Sequence, residues 1–241
     1  MTIEYFQKGF NYGQDGPGNR LVIHLAGCNM RCPWCSNPEG MAPGRPGNRR
    51  EDVEAVARFV AAAKPMFFDG GGLTLTGGEA ALQLDAVKEL LSQVRAEGVH
   101  TALETNGTQA RLPELFPLID FLMMDFKHPF EAEHQSWTGV SGEPVKANFA
   151  RAAAEGMNLL IRIPLIHGVN DRDEALSGFC DFLKQFSGRA RVEVLRYHEY
   201  GRDKWAKLGL TYRMEDAFLP AGRAEALEKM LKAEGLEIVR T

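Results

Sequence analysis

Leu21-Val22-Ile23-His24-Leu25-Ala26-Gly27-Cys28-Asn29-Met30-Arg31-Cys32-Pro33-Trp34-Cys35-Ser36-Asn37 starts as a strand and ends as a cysteine loop. Its first six residues are apolar except for His24, the composition of a buried parallel strand. Three of the four cysteines in the chain follow at C-x3-C-x2-C spacing. Thiols this close together are metal ligands more often than disulfide partners. Their number narrows the choice. Closed structural zinc sites take four protein ligands, and ordinary iron–sulfur clusters take four cysteines. A triad leaves one cluster iron open to a substrate. The competing reading is a Cys3His zinc site, with His24 or another of the six histidines as fourth ligand.

The 241 residues are enough for one substantial core, and the length fits a single α/β barrel. Apolar residues make up 44% and charged residues 25%, an ordinary globular balance. A net charge of −4 argues against a nucleic-acid partner held through phosphates. The short basic clusters Arg45 to Arg50 and Arg189 to Arg191 read as solvated loop charge. No window of about 18 apolar residues is present, so no membrane span is expected. The N-terminus lacks an apolar stretch after a basic start, so no signal peptide is expected. Clustered thiols suit a reducing compartment, and the cytoplasm is the expected location.

Strand-like and helix-like runs alternate around the triad, the mark of βα units on a parallel sheet. Strands are expected near 21–26, 72–76, 99–104, Phe121 to Asp125, Asn158 to Pro164 and 191–196, with a last short one from Leu236 to Arg240. Helices are expected near 51–64, 80–97, 145–155, 172–186 and 222–234, with a helical turn near 110–117 and a loop carrying Trp205. Six βα units in this order make an open (βα)6 barrel, a partial TIM barrel. The whole chain, 1–241, reads as one domain with its core at about 20–200. Cys180 falls on the apolar stripe of its helix and reads as a small buried hydrophobe.

Polar clusters follow five of these strands: the cysteine loop, Gly77-Gly78-Glu79, Glu104-Thr105-Asn106-Gly107, Asp125-Phe126-Lys127 and Tyr197-His198-Glu199. In parallel barrels chemistry gathers at the carboxyl ends of strands, so the five are expected to share one mouth. Each has a plainer reading. Gly77-Gly78-Glu79 also suits a strand-to-helix turn, Lys127 and Arg162 also suit an ion pair, and Thr105 and Met123 also suit ordinary strand positions.

Asp15-Gly16-Pro17-Gly18-Asn19-Arg20, the triad, Thr76-Gly77-Gly78-Glu79-Ala80, the run from His100 to Gly107, Asp125-Phe126-Lys127 and the run from Tyr197 to Trp205 follow one another along the chain. Together they resemble the glycyl-radical-enzyme activating enzymes of the radical S-adenosylmethionine (SAM) superfamily. Within that family they look most like the pyruvate formate-lyase-activating type. Cys35-Ser36-Asn37-Pro38-Glu39 is similar to members with a ferredoxin-like insert, yet Gly40 to Gly70 holds no cysteine, so a single cluster is expected.

The resemblance implies a [4Fe–4S] cluster on Cys28, Cys32 and Cys35, with SAM on its open iron. It implies SAM contacts from Trp34, Asn37, Gly77, Gly78, Glu79, Glu104, Thr105, Asn106, Asp125, Lys127, Arg162 and His198. A monovalent cation (K+ or Na+) is implied at Glu104, Thr105, Met123 and Asp125, although Glu104 stands where the relatives have the shorter Asp. Asp15, Gly16, Pro17, Gly18, Tyr197 and His198 are implied to grip a partner peptide. Flavodoxin or ferredoxin is implied to reduce the cluster, which cleaves SAM to a 5′-deoxyadenosyl radical. That radical takes a hydrogen atom from a glycine Cα of a glycyl radical enzyme. Two other classes stay open: a radical SAM enzyme acting on a small metabolite or RNA, and a non-catalytic zinc-binding or electron-carrier module.

Overall fold

The computed structural model describes residues 1–240. Its strands are β1 (Thr2–Tyr12), β2 (Asn19–Leu25), β3 (Arg49–Asp52), β4 (Gly72–Gly77), β5 (His100–Thr105), β6 (Phe121–Asp125), β7 (Leu159–Leu165), β8 (Arg191–Arg196) and β9 (Glu237–Ile238). They form one sheet in the order β3-β1-β2-β4-β5-β6-β7-β8-β9. From β2 to β9 every pairing is parallel, whereas β1 runs antiparallel to both β2 and β3. The ends β3 and β9 do not meet, so the sheet is an open barrel built on six βα units.

Helices α1 (Val53–Ala62), α2 (Leu84–Ala96), α3 (Glu131–Thr138), α4 (Glu143–Ala154), α5 (Asp173–Leu183), α6 (Arg202–Lys207) and α7 (Arg223–Ala233) complete the elements. The apolar stripes of the longer ones explain their docking. On α2, Leu84, Val87, Leu90, Leu91 and Val94 are buried at helical spacing. On α5 the buried stripe includes Phe179 and Cys180. Phe126, just beyond β6, meets Phe149, Phe179 and Phe182 with ring centroids 5.0–5.6 Å apart. Such pairs add about 0.5–1.5 kcal/mol each beyond their buried area. Between β5 and β6 the chain makes only a 3-10 turn, Leu112–Leu118. Pro113 and Pro117 bring no amide hydrogen, and Pro117 lies inside the turn, so a regular α-helix is not available there.

Inside the barrel the side chains divide by height. Ala102, Phe121, Met123 and Leu160 form a buried apolar plug toward the strand N-termini. Arg20 is wholly buried beside them. Its guanidinium donates to the Thr74 hydroxyl, to the Leu73 carbonyl and, at 3.2 Å, to the Pro17 carbonyl. Above this floor the inward positions become polar.

Four elements were not anticipated from sequence. β1 is half exposed with no clean alternation, and β3 is four residues without an apolar side chain. The Arg45 to Arg50 cluster is therefore not all solvated loop. Arg50 and Asn48 both donate to the buried Glu4 carboxylate, at 3.0 and 2.6 Å. The stretch expected as a polar loop before residue 145 contains α3, and the Trp205 loop contains α6.

Candidate active site

A cleft of about 710 Å³ occupies the mouth of the open barrel, lined by residues of β1, β2 and β4 to β8. All three clustered cysteines line it and none is in a disulfide. The cysteine loop hangs from β2, its start held by Gly27 N–H to the Gly40 carbonyl (2.8 Å) and Cys28 N–H to the Met41 carbonyl (3.2 Å). Met30, Trp34, Ile166 and Tyr197 form the apolar surroundings of the sulfurs. Burial pushes the Cys28 thiol up to about 11 and the Cys32 thiol up to about 12, and raises Cys35 as well. Three buried soft donors that stay protonated until a cation arrives, facing one open cleft, fit a [4Fe–4S] cluster held by three thiolates.

A belt of polar side chains lies at one level of the barrel. The strand register sets Asp125, Arg162 and Glu193 side by side on β6, β7 and β8, and His24 beside Thr76 on β2 and β4. Arg162 is its hub, donating to Glu104 (2.7 Å), Glu193 (2.9 Å) and the Gln14 carbonyl (2.7 Å). Glu104 also accepts from the Thr76 hydroxyl at 2.6 Å. Burial alone would raise the Glu104 carboxyl, but Arg162 and Thr76 outweigh it and hold it below its ordinary value. Lys127 donates to Asp125 at 2.6 Å. His24 has its Nδ1 buried without a partner among the described residues, and burial lowers its imidazole.

Gly77, Gly78 and Glu79 zip the end of β4 onto the cysteine loop. Gly78 N–H donates to the Leu25 carbonyl (2.9 Å) and Glu79 N–H to the Gly27 carbonyl (2.7 Å). A Cβ on Gly78 would lie 2.3 Å from the Gly27 carbonyl oxygen and 2.4 Å from that of Gly40. Gly78→Ala must therefore push two backbones apart, and we expect it to cost about 1–3 kcal/mol in urea unfolding. A loss under about 0.5 kcal/mol would show the seam to be loose.

Gly77, Gly78, Glu104, Thr105, Asn106, Asp125, Lys127 and Arg162 all reach the cleft, as do Trp34 and Asn37. Glu79 does not. It is fully buried behind the wall, accepting from the Thr105 hydroxyl (2.6 Å) and from the amides of Asn106 (2.6 Å) and Ala81 (2.9 Å). Its carboxylate caps the turn that follows β4, in line with the plainer strand-to-helix reading of Gly77-Gly78-Glu79, and also holds the turn after β5, which the motif alone does not show. Met123 lies in the apolar plug, its side chain wholly buried.

Of the Asp15 to Gly18 turn, only Asp15 lines the cleft. The Thr74 hydroxyl donates to the Asp15 carbonyl at 2.7 Å, while the Pro17 carbonyl rests on Arg20. Burial, then Glu104, raises the Asp15 carboxyl. Tyr197 and His198 line the opposite wall, His198 stacked on the exposed Tyr200 at 4.1 Å. His24, named from the sequence only as a candidate zinc ligand, lines the cleft, whereas Glu193, which the sequence does not mark, lies buried against Arg162 and outside the cleft lining. The one signal for His24 was a lone polar residue in an otherwise apolar strand.

Residues 22–180 match the Radical SAM superfamily, so the chain is a radical SAM protein. Over 232 residues it is 32% identical to the pyruvate formate-lyase-activating enzyme of Streptococcus mutans, spanning 92% of this chain and 88% of that one. Over 221 residues it is 31% identical to pyruvate formate-lyase 1-activating enzyme of Escherichia coli K12, spanning 90% of this chain and 88% of that protein. A crystal structure of a domain of pyruvate-formate lyase-activating enzyme from Bacteroides vulgatus aligns with a TM-score of 0.58 at 26% identity, covering 70% of this chain and 98% of that one. The chain belongs to the family of pyruvate formate-lyase-activating enzymes. Membership implies a [4Fe–4S] cluster and SAM. Among the described residues no helix is long and apolar enough to cross a membrane.

Proposed function

We propose that this chain, acting as one unit over 1–241, activates a glycyl radical enzyme by hydrogen-atom abstraction from a glycine Cα. The observation that carries the proposal is a cysteine triad facing a cleft at the mouth of the open barrel, lined from β1 across to β8. The likeness to activating enzymes over about nine-tenths of the chain supports it. Cluster and SAM together, when bound, supply reductive sulfonium cleavage and a hydrogen-atom acceptor.

In this reading Cys28, Cys32 and Cys35 hold the cluster. Gly77 and Gly78 offer backbone for close approach by the amino-acid end of SAM, while Glu104, Thr105, Asn106, Asp125, Lys127 and Arg162 surround it. Glu79 acts from behind the wall by orienting Thr105 and Asn106. Asp15, Tyr197 and His198 grip the extended partner segment, and Gly16, Pro17 and Gly18 set the angle of Asp15. Flavodoxin or ferredoxin supplies the electron, and the reaction runs in the cytoplasm.

Arg162 on Glu104 and Lys127 on Asp125 already compensate the two carboxylates that a monovalent cation at Glu104, Thr105, Met123 and Asp125 would serve. SAM cleavage is therefore expected to hold within about twofold when Na+ and K+ are replaced by tetramethylammonium at constant ionic strength. A tenfold fall, about 1.4 kcal/mol, would restore the cation to the site.

The deciding experiment combines the anaerobically reconstituted, reduced protein with SAM and a glycyl radical enzyme, read by electron paramagnetic resonance. A glycine-centred radical that needs SAM is the expected result. Its absence while SAM is cleaved would point instead to a small-metabolite or RNA substrate. Asp15→Ala and His198→Ala are expected to keep SAM cleavage but lower activation by about tenfold or more. Unchanged activation would remove these residues from the grip.

A further inference from the structure

We infer that α6 is a clamp on the third cysteine, with Trp205 and Gly201 fixing the Cys35 carbonyl and Lys204 fixing Asn37. This rests on the cluster assignment above and adds positioning residues from a distant part of the chain. The Trp205 indole N–H donates to the Cys35 carbonyl at 2.9 Å, across 170 positions in sequence. Gly201 approaches the same carbonyl so closely that a Cβ there would lie 2.3 Å from its oxygen and 3.0 Å from the Ser36 Cα. The Lys204 ammonium donates to Asn37 Oδ1 at 2.9 Å and lies 3.7 Å from Glu39.

Positions 201, 204 and 205 share one helical face, so the three contacts converge on a single segment. Hydrophobic burial contributes little to the docking of α6 beyond the edge-on contact of Trp205 with Tyr212, ring centroids 5.9 Å apart. The helix is six residues long and none of them is buried. The segment's own bonds are short-range: Cys35 N–H to the Cys32 carbonyl at 3.2 Å and Gly40 N–H to the Asn37 carbonyl at 3.0 Å, neither of them to the sheet. Cys28 differs, since its start is tied down by β2, by Gly40 and Met41, and by the Gly78 seam. The third ligand thus depends on α6 for the anchoring that the first receives from the sheet. Groups that orient a metal ligand without touching the metal commonly change its affinity 10- to 100-fold when lost.

Trp205→Phe removes the indole donor and keeps an aromatic ring; Gly201→Ala pushes on the same carbonyl sterically. Lys207→Ala, exposed on the same helix, is the control. Each protein is reconstituted anaerobically, and iron release to a chelator, the spectrum of the reduced cluster and thermal unfolding of the cluster-free chain are measured. Trp205→Phe is expected to speed iron release by about tenfold and to alter the spectrum, with cluster-free unfolding unchanged. Gly201→Ala should act in the same direction, and Lys207→Ala should match wild type. Should Gly201→Ala not fold, Trp205→Phe decides alone. Wild-type release by the variants that fold overturns the clamp and leaves the activating-enzyme reading standing. Equal destabilisation of the cluster-free chain also overturns it, by making Trp205 a residue of the fold. A wild-type protein that takes up no iron and sulfide overturns the cluster assignment and the clamp with it.

Discussion

Arg162→Met is expected to lower the unfolding free energy by about 3–5 kcal/mol near pH 8, the usual result of removing one member of a buried ion pair. Arg162 is almost wholly buried, and its guanidinium holds Glu104, Glu193 and the Gln14 carbonyl together. Methionine fills similar volume but takes the guanidinium away from the buried Glu193 and from Glu104 at the cleft wall. The loss should depend on pH, and its direction follows from Glu104. In the native protein Glu104 titrates below its ordinary value, so it stabilises the fold above the ordinary carboxylate range. That contribution fades as pH falls through the lowered value. Without Arg162, burial dominates and the carboxyl titrates above its unfolded value, so the folded variant takes up protons first. Acid therefore stabilises the variant relative to wild type, and the deficit should shrink toward about pH 4. Urea unfolding at pH 8 and pH 5 measures both arms. A deficit under about 1 kcal/mol, or one equal at the two pH values, would show that the belt is not held by this ion pair.

Cys32→Ala should abolish SAM cleavage and leave the chain without its full iron and sulfide, while the cluster-free fold loses only about 1 kcal/mol. Cys32 is buried in the small apolar group with Met30 and Trp34, where its removal leaves a minor gap. The larger consequence is chemical. Burial holds the Cys28 and Cys32 thiols at about 11 and about 12, so near neutral pH they carry their protons until a cluster displaces them. Loading must then release protons and should strengthen as pH rises. Proton release during anaerobic reconstitution, followed from pH 6.5 to pH 8.5, tests the sign. Loading that is independent of pH, or an alanine variant with wild-type iron and sulfide, would contradict the assignment of ligands.

The parallel strands were legible because their apolar runs are continuous. β6 and β8 have the limits that the pattern suggests, and the others differ by one or two residues. β1 was not legible because its outer half faces solvent on both sides of the alternation. α6 carries no apolar stripe at all, so nothing in its periodicity distinguishes it from a loop. The site shows the same division. Residues at strand ends could be placed on one mouth by topology alone. Glu79 could not, because its role depends on Thr105 and Asn106 folding back from another strand. Glu193 reads as an outward polar residue in a strand of alternating character. Only the inward curl of the sheet makes that face an interior, where Arg162 meets it.

The sheet's failure to join its two margins has a consequence for what can be admitted. A closed ring must be entered end-first from above, which favours small molecules or a free chain terminus. Here the edge strands stay apart and the cleft is lined from β1 across to β8, so under the proposed function a loop still anchored at both ends in a large folded protein need not be threaded through a ring.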